Sequence, residues 1–497
     1  MDTVWVLGDQ LRRDAGALRT YRPGEVRVLM IESDAKLATG RWHRQRLHFM
    51  LASMRRFADE LRSEGFAVDY RHASSFRIGL REHREEFSPE RVHAMSPMSF
   101  DGRAMLERFD VHIVPNDQFL CSAEQFAEWA GTRKSLKMED FYRWQRKRLD
   151  VLMDGDEPVE GKWNFDAENR EPPPKDGRSW PAPVVDQLDA TDARVIVDIA
   201  RRAPESFGAA PEGLWATTRS GALGRLHHFI DEVLPLFGPH EDAVLSSEWK
   251  LAHSALSPYL NIGLLHPSEV VDAAHRAYQE GRVPIASAEG FLRQVIGWRE
   301  YVWGLYWLWM PEYRELNALG ADAALPAAFL GGSTEMACVA HTVQGIDDRA
   351  WVHHIERLMI LGNLSLTSGV QPTAVVDWMW KSFVDGAEWV MLPNVIGMAL
   401  YADGGRMATK PYASGGAYIN RMSDHCGDCR FDPTKRIGEH ACPFTTLYWD
   451  FLARNESDLR SNHRLGNQLG SMRKLKDLDA VRERAVEIRS RLSDGSL

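Results

Sequence analysis

The chain has 497 residues, 44% of them hydrophobic and 26% charged, with a formal net charge of −10. That is the composition of a globular protein of two or three domains, and the acidic total leaves nucleic-acid binding to a local basic patch. No stretch approaches the roughly 18 apolar residues of a membrane helix, and five cysteines are too few for a disulfide framework, so a reducing cytoplasm is expected. "MDTVWVLGDQLRRD" opens on an acidic residue and a short apolar run, which predicts a buried strand rather than a signal peptide. A second apolar run, "VRVLMIES" (26–33), follows. Between Arg41 and Gly65, Leu47, Met50, Leu51, Met54, Phe57 and Leu61 recur at helical spacing, and Gly65 stands where a helix-ending glycine belongs. "FAVDYRH" and "VHIVPNDQFL" (111–120) supply further strands. Strand–helix–strand alternation predicts a parallel sheet covered by helices, with ligands at the carboxyl ends of its strands. Asp9, Gln10 and Glu32 lie at such ends, although ordinary capping and turn formation would use the same residues; no dinucleotide fingerprint follows either strand. The Pro-, Gly- and charge-rich stretch 161–184 reads as a surface linker, and from about residue 200 helical patterns dominate. The seventeen tryptophans suit a large helical core, a flat aromatic ligand or electron-hopping side chains.

The helical half holds the motifs that carry chemistry. In "HSALSPYLNIGLLHPSEVV" (253–271), Ser254 and Ser257 flank Leu256 beside a helix-starting proline. Hydroxyls and free N–H groups at a helix start suit a phosphate, and equally suit plain N-capping. "FLRQVIGWREYVWGLYW" (291–307) and "WVHHIERLMILGNLSL" (351–366) place Arg299 beside Trp298, and Arg357 after His353-His354. A buried arginine needs an anion or a carboxylate. Two adjacent histidines cannot share one helix face, so one of them is expected at the surface or satisfied in the core. "HCGDCRFDPTKRIGEHACPF" (425–444) gathers Cys426, Cys429 and Cys442, three thiols of an incomplete four-ligand site for zinc or an iron–sulfur cluster; His425 and His440 keep zinc open.

Together "HSALSPYL", "FLRQVIGWREY", "WVHHIERLM", "DWMW…FVDG…WVMLPNVIGMALYADGG" and "KPYASGGAYINRMSDHCGDCRFDPTKR" closely resemble the iron–sulfur bacterial branch of the photolyase–cryptochrome family, the prokaryotic (6-4) photolyases or photolyase-related proteins. The resemblance runs nearly end to end. It implies a Rossmann-like α/β antenna domain with a parallel sheet (1–135), an interdomain linker (136–200) and an all-α FAD-binding catalytic domain with an iron–sulfur lobe (201–497). It implies a [4Fe–4S] cluster on Cys338, Cys426, Cys429 and Cys442, leaving Cys121 as a bystander. FAD would be held by Ser254, Leu256 and Ser257 at its phosphates, by Trp298 and Arg299 along the pocket, by Arg357, and by Asn394 near the isoalloxazine. An antenna, 6,7-dimethyl-8-ribityllumazine, would meet Asp9, Gln10 and Glu32.

The implied activity is light-dependent repair of (6-4) photoproducts in DNA by electron transfer from reduced FAD, with His353 and His354 over the lesion pocket as proton donors. A histidine suits that role because the (6-4) lesion must be protonated as the electron arrives, whereas a cyclobutane dimer needs only the electron. The DNA presents its lesion flipped out. Arg421, Lys435 and Arg436, with the basic loops 133–137 and 143–148, are candidate phosphate contacts, though basic runs are often only solvated faces. The protein is expected to be a monomer. Trp378 matches the tryptophan nearest the flavin, but Met379 stands where relatives have tyrosine, and no tryptophan lies near Leu330; Trp380 or Trp351 are the substitutes for electron supply. Two other readings share parts of this evidence: a blue-light photoreceptor, without obligatory repair, and a primase-like nucleic-acid module, which leaves the flavin motifs unexplained.

Overall fold

The computed structural model of the chain describes residues 1–497. Five strands form one parallel sheet in the order β3-β2-β1-β4-β5: β1 (Asp2–Trp5), β2 (Val26–Ser33), β3 (Ala67–Ala73), β4 (Val92–Met95) and β5 (His112–Val114). This is a doubly wound order, in which the chain reverses direction beside β1, so a crevice opens at the ends of β1 and β4. Gly8-Asp9-Gln10 leaves β1 into that crevice. The Gln10 amide donates to the carbonyls of Met95 and Ser96 at 3.1 and 3.2 Å, tying the turn to the end of β4.

The predicted helix after β2 spans Arg44–Ser63, and Gly65 follows it at φ +94°, a left-handed position where a Cβ would be strained. Strand β4 is too short and too polar at His93 to stand out in sequence. The segment 136–200 is more than a linker. It contains a helix, Met138–Leu149, packed on Arg293–Arg299, and a second helix, Ala190–Arg202, packed on Arg44–Ser63. Within 161–184 the chain is irregular apart from the end of the 3-10 turn Val159–Gly161 and the 3-10 turn Asp166–Glu168.

Beyond residue 200 the chain is helical, with no further sheet. Its core is continuous with that beneath the sheet: Leu47, Phe49 and Leu51 of the first long helix join Leu256, Tyr259, Val295 and Trp351 in one buried cluster. The seam between the halves is also polar. Leu11 N–H donates to the Ile262 carbonyl at 2.8 Å, Arg12 meets Glu269 at 2.9 Å, and Arg46 donates to the Phe383 carbonyl at 3.0 Å. Four π-helical turns interrupt the helices, at Phe229–Val233, Arg293–Arg299, Glu356–Gly362 and Asn394–Ala399. No helix is long and apolar enough to cross a membrane.

Candidate functional site

Residues 351–353 run extended into the helix that starts at His354, so the two histidines straddle a helix start rather than sharing a helix. This alters the expectation drawn from helical geometry. Their rings lie together, with centroids 4.4 Å apart, and His253 completes the group at 5.3 Å from His353 and 5.7 Å from His354. The segment is pinned from several directions. Glu356 accepts from the His353 backbone N–H at 3.0 Å and from the Thr342 hydroxyl at 3.2 Å, and Arg357 Nε donates to the Val352 carbonyl at 3.0 Å.

Burial separates the three rings. His253 and His353 are desolvated, with their pKa pushed well below the usual 6.5, so both are neutral at physiological pH. The His354 side chain is 43% exposed, and its Nε2 lies 3.2 Å from Asp242 Oδ1. It is the ring with both a route to solvent and a carboxylate partner. Tyr412, Tyr418 and Leu358 pack on Ile355 and Met359 beside it, and the exposed Arg421 covers Tyr418 at 5.3 Å. The mouth of the site therefore combines flat aromatic and aliphatic walls with a cation at the rim.

Below the histidines lies a polar group with an excess of positive charge. Ser257 donates to Asp385 Oδ2 at 2.7 Å, Arg357 Nη1 reaches the same carboxylate at 2.9 and 3.1 Å, and Asn261 donates to the Asp385 carbonyl at 2.9 Å. Ser254 caps the Leu256 N–H at 3.5 Å, and Leu256 is buried at the start of the helix Ser257–Asn261. Lys250 is 7% exposed, and its ammonium has no ion pair or hydrogen bond within the chain; desolvation and the nearby Arg225 lower its pKa to about 8. Arg225, close by, pairs with Asp186 at 3.1 Å, which leaves its Nε, like the Nε2 of His228, buried without an acceptor. A buried cation without an acid is costly. These orphaned donors beside two serines fit an anionic diphosphate, so the residues present accommodate FAD. His253, Lys250 and Asp385 were not singled out in sequence, although all three lie in or beside the quoted motifs.

The other expected flavin residues make contacts within the chain. The Arg299 guanidinium is held by Glu300 at 2.7 Å and lies 4.1 Å above the Phe119 ring, facing the first half of the chain. Trp298 packs edgewise on Tyr301. Asn394 donates to the Val390 carbonyl at 2.8 Å at the start of a π-helical turn, and that turn abuts the one bearing Arg357, where a Cβ on Gly362 would lie 3.0 Å from the Ala399 Cβ.

The four cysteines converge. Cys338, Cys426, Cys429 and Cys442 line one cavity with Met336, Ile419, Phe431 and Phe444, and Cys338 lies within Coulombic range of the other three thiols. The loop after Cys429 folds back on itself, with the Asp432 N–H donating to the His440 carbonyl at 2.8 Å, which returns Cys442 to the C-x-x-C turn. Cys338 sits in the first turn of Ala337–Arg349 and Cys442 at the N-cap of Pro443–Arg454, while burial raises the pKa of both thiols, so a bound metal is what would hold them as thiolates. A Cβ on Gly416 would fall 2.8 Å from Cys442 Sγ. This closed set of four sulfurs in apolar walls fits a [4Fe–4S] cluster.

At the sheet's crevice, Glu32 is taken up by Arg55 at 2.8 Å, by Tyr70 at 2.7 Å and by Arg202, and Gln10 by its two carbonyls. Of the three expected antenna contacts, Asp9 alone has a side chain with no partner from another residue, and burial raises its pKa to about 6. Lys36 covers Trp380 at 4.7 Å nearby, and Trp380 meets Trp42 edge-on at 5.7 Å. Trp378 instead stacks on Phe329 at 4.6 Å and donates to its carbonyl, with the exposed Leu330 next in sequence. Trp351 packs on Trp249 and His253.

Among the basic candidates, Arg436 pairs with Asp477 at 2.9 Å and Lys435 with Asp432 at 3.3 Å, both on the cysteine lobe. The run 143–148 lies on a helix rather than a loop. Its Arg146 is 1% exposed and donates to the carbonyls of Val151, Leu152 and Trp163, which withdraws it from any phosphate.

A family model described as deoxyribodipyrimidine photo-lyase-related protein matches residues 4–215. The chain is 43% identical over 474 residues to a (6-4) photolyase of Agrobacterium fabrum (strain C58 / ATCC 33970), covering 93% of both chains. It is 33% identical over 97 residues to an uncharacterized protein, R855, of Acanthamoeba polyphaga mimivirus, covering 20% of this chain and 72% of that one. The fold superposes on the crystal structure of a bacterial class III photolyase from Agrobacterium tumefaciens with a TM-score of 0.58 and 16% identity, over 99% of this chain and 98% of that one.

Proposed function

Because the chain belongs to the (6-4) photolyase family, we propose that it repairs (6-4) photoproducts in DNA under light, with FAD as its catalytic cofactor. The observation that carries this reading is the three-histidine group set beside the polar cluster of Lys250, Ser257, Arg357 and Asp385. Bound FAD in its reduced form, once excited, supplies the electron; the remaining requirements fall to the chain's own residues. Lys250, Ser254, Ser257 and Arg357 would hold the cofactor, with Asp385 fixing Ser257 and Arg357 in place.

His354 holds the proton that the lesion must receive, at Nε2 beside Asp242, and recovers it from solvent through its exposed edge. His353, buried, and His253, half-buried, are both neutral; they fix the orientation of His354 and exclude water from beneath it. Tyr412 and Tyr418 offer flat walls to an extruded base, and Arg421 is the cation best placed for the adjoining phosphate. The four cysteines would hold a [4Fe–4S] cluster, which in this reading would fix the lobe bearing Arg421. A lumazine antenna at the crevice would rest on Asp9, Lys36 and the Trp42–Trp380 pair rather than on Gln10 or Glu32.

The test is illumination of the purified, reduced protein with DNA carrying a single (6-4) photoproduct, and separately a cyclobutane dimer. Light-dependent restoration of the two bases in the first substrate supports the proposal. Failure to restore them with flavin and iron at full occupancy would instead favour a light receptor.

A further inference from the structure

Between the histidine site and the cysteine cavity, whose wall His425 shares, lies a second group of metal-ligating side chains that the proposed repair does not use. His341, Glu356 and His425 each present a donor atom, all within 4.8 Å of one another. They come from three segments: the Ala337–Arg349 helix one turn beyond Cys338, the π-helical turn that begins the His354 helix, and the residue preceding Cys426. The imidazoles of His341 and His425 face each other at 4.7 Å between centroids. His425 is 6% exposed, and its Nε2 is buried without a hydrogen-bond partner. Leaving such an atom unsatisfied is costly, and a ligand would offset that cost.

We propose that His341, Glu356 and His425 bind a single divalent transition-metal ion, distinct from the cysteine cluster. Two imidazole nitrogens and one carboxylate oxygen are a zinc-type donor set, and imidazole selects such ions over magnesium or calcium. A tetrahedral ion with bonds of about 2.0–2.1 Å holds its ligands about 3.4 Å apart, so modest side-chain rotation closes the site. His341 is only partly buried, which provides a path of entry and a fourth position for water. Glu356 also accepts from the His353 backbone N–H at 3.0 Å, so the ion would clamp the start of the histidine segment to the cysteine lobe.

The experiment uses cluster-loaded protein incubated with zinc alone, then freed of loosely held metal by a weak chelator. Zinc and iron are counted, and the zinc X-ray absorption spectrum is recorded. One retained zinc per chain with nitrogen and oxygen neighbours, lost in His341→Ala while the iron content is unchanged, is the expected result. No retained zinc, zinc retained equally by His341→Ala, or sulfur neighbours at about 2.3 Å overturns the proposal. The wild-type absorption spectrum decides the matter even if the variant fails to fold. A magnesium arm is expected to leave zinc retention unchanged.

Discussion

The ammonium of Lys250 is buried with no acid against it, and that arrangement makes a measurable demand. If the missing partner is the flavin diphosphate, Lys250→Met removes a charge-assisted bond of about 1.5–3 kcal/mol, and FAD affinity falls roughly 10- to 150-fold in a fluorescence titration. The sign of the pH effect follows from the lowered pKa. Free protein loses the Lys250 proton as the pH rises through about 8, so FAD affinity weakens above that pH in wild type and not in the variant. Sequence reading reached Ser254, Ser257 and Arg357 through motif resemblance but passed over Lys250, His253 and Asp385. A lone lysine or histidine in sequence gives no sign of whether it will be buried or paired. Arg299 illustrates the converse, since its partner is the adjacent Glu300, a pairing that spacing alone could not separate from an open anion site.

At the level of elements, Trp298, Arg299, Arg357 and Asn394 all lie on π-helical turns. Such turns re-aim side chains out of a regular helical face and are frequent at functional sites. Periodicity could place the helices but not these interruptions, because the local composition remains helical throughout. The cysteine lobe was the most legible element, its C-x-x-C spacing being local, while Cys338 reached the set through resemblance alone. Gly416 is the weak point of its packing. A Cβ there meets Cys442 Sγ at 2.8 Å and the Pro433 Cα at 3.0 Å. Gly416→Ala is expected to lower iron occupancy at least several-fold and to melt earlier, as read by iron content and thermal denaturation. Full iron in a stable variant would mean that the lobe yields more than this geometry allows.

Across the whole molecule, strand–helix alternation followed by helices was enough to set out the two halves, while the seam between them depended on pairs far apart in sequence, such as Arg12 with Glu269. In the proposed reading, electron supply to the flavin also crosses the molecule. Trp378 leads to Phe329 and the exposed Leu330, and phenylalanine is a poor hopping station, so flavin photoreduction is expected to be slow; Met379→Tyr with Leu330→Trp should accelerate it several-fold in a bleaching assay. Burial also sets the acid limit. Ten histidines, among them His43 and His425 at about 4, have folded pKa values below the usual 6.5. The unfolded chain therefore takes up protons first, so the histidines' contribution is intact above about pH 6.5 and falls as the pH drops below it. Glu241 and Glu356, raised by burial to about 8 and about 7, act in the opposite sense, but the histidines outnumber them and Tm is expected to decline between pH 7 and 5. The most direct test of the central claim is the yield of (6-4) repair per absorbed photon in His354→Ala, with flavin spectrum and iron content matched to wild type. The account predicts a loss of at least 100-fold. Repair within a few-fold of wild type would contradict it.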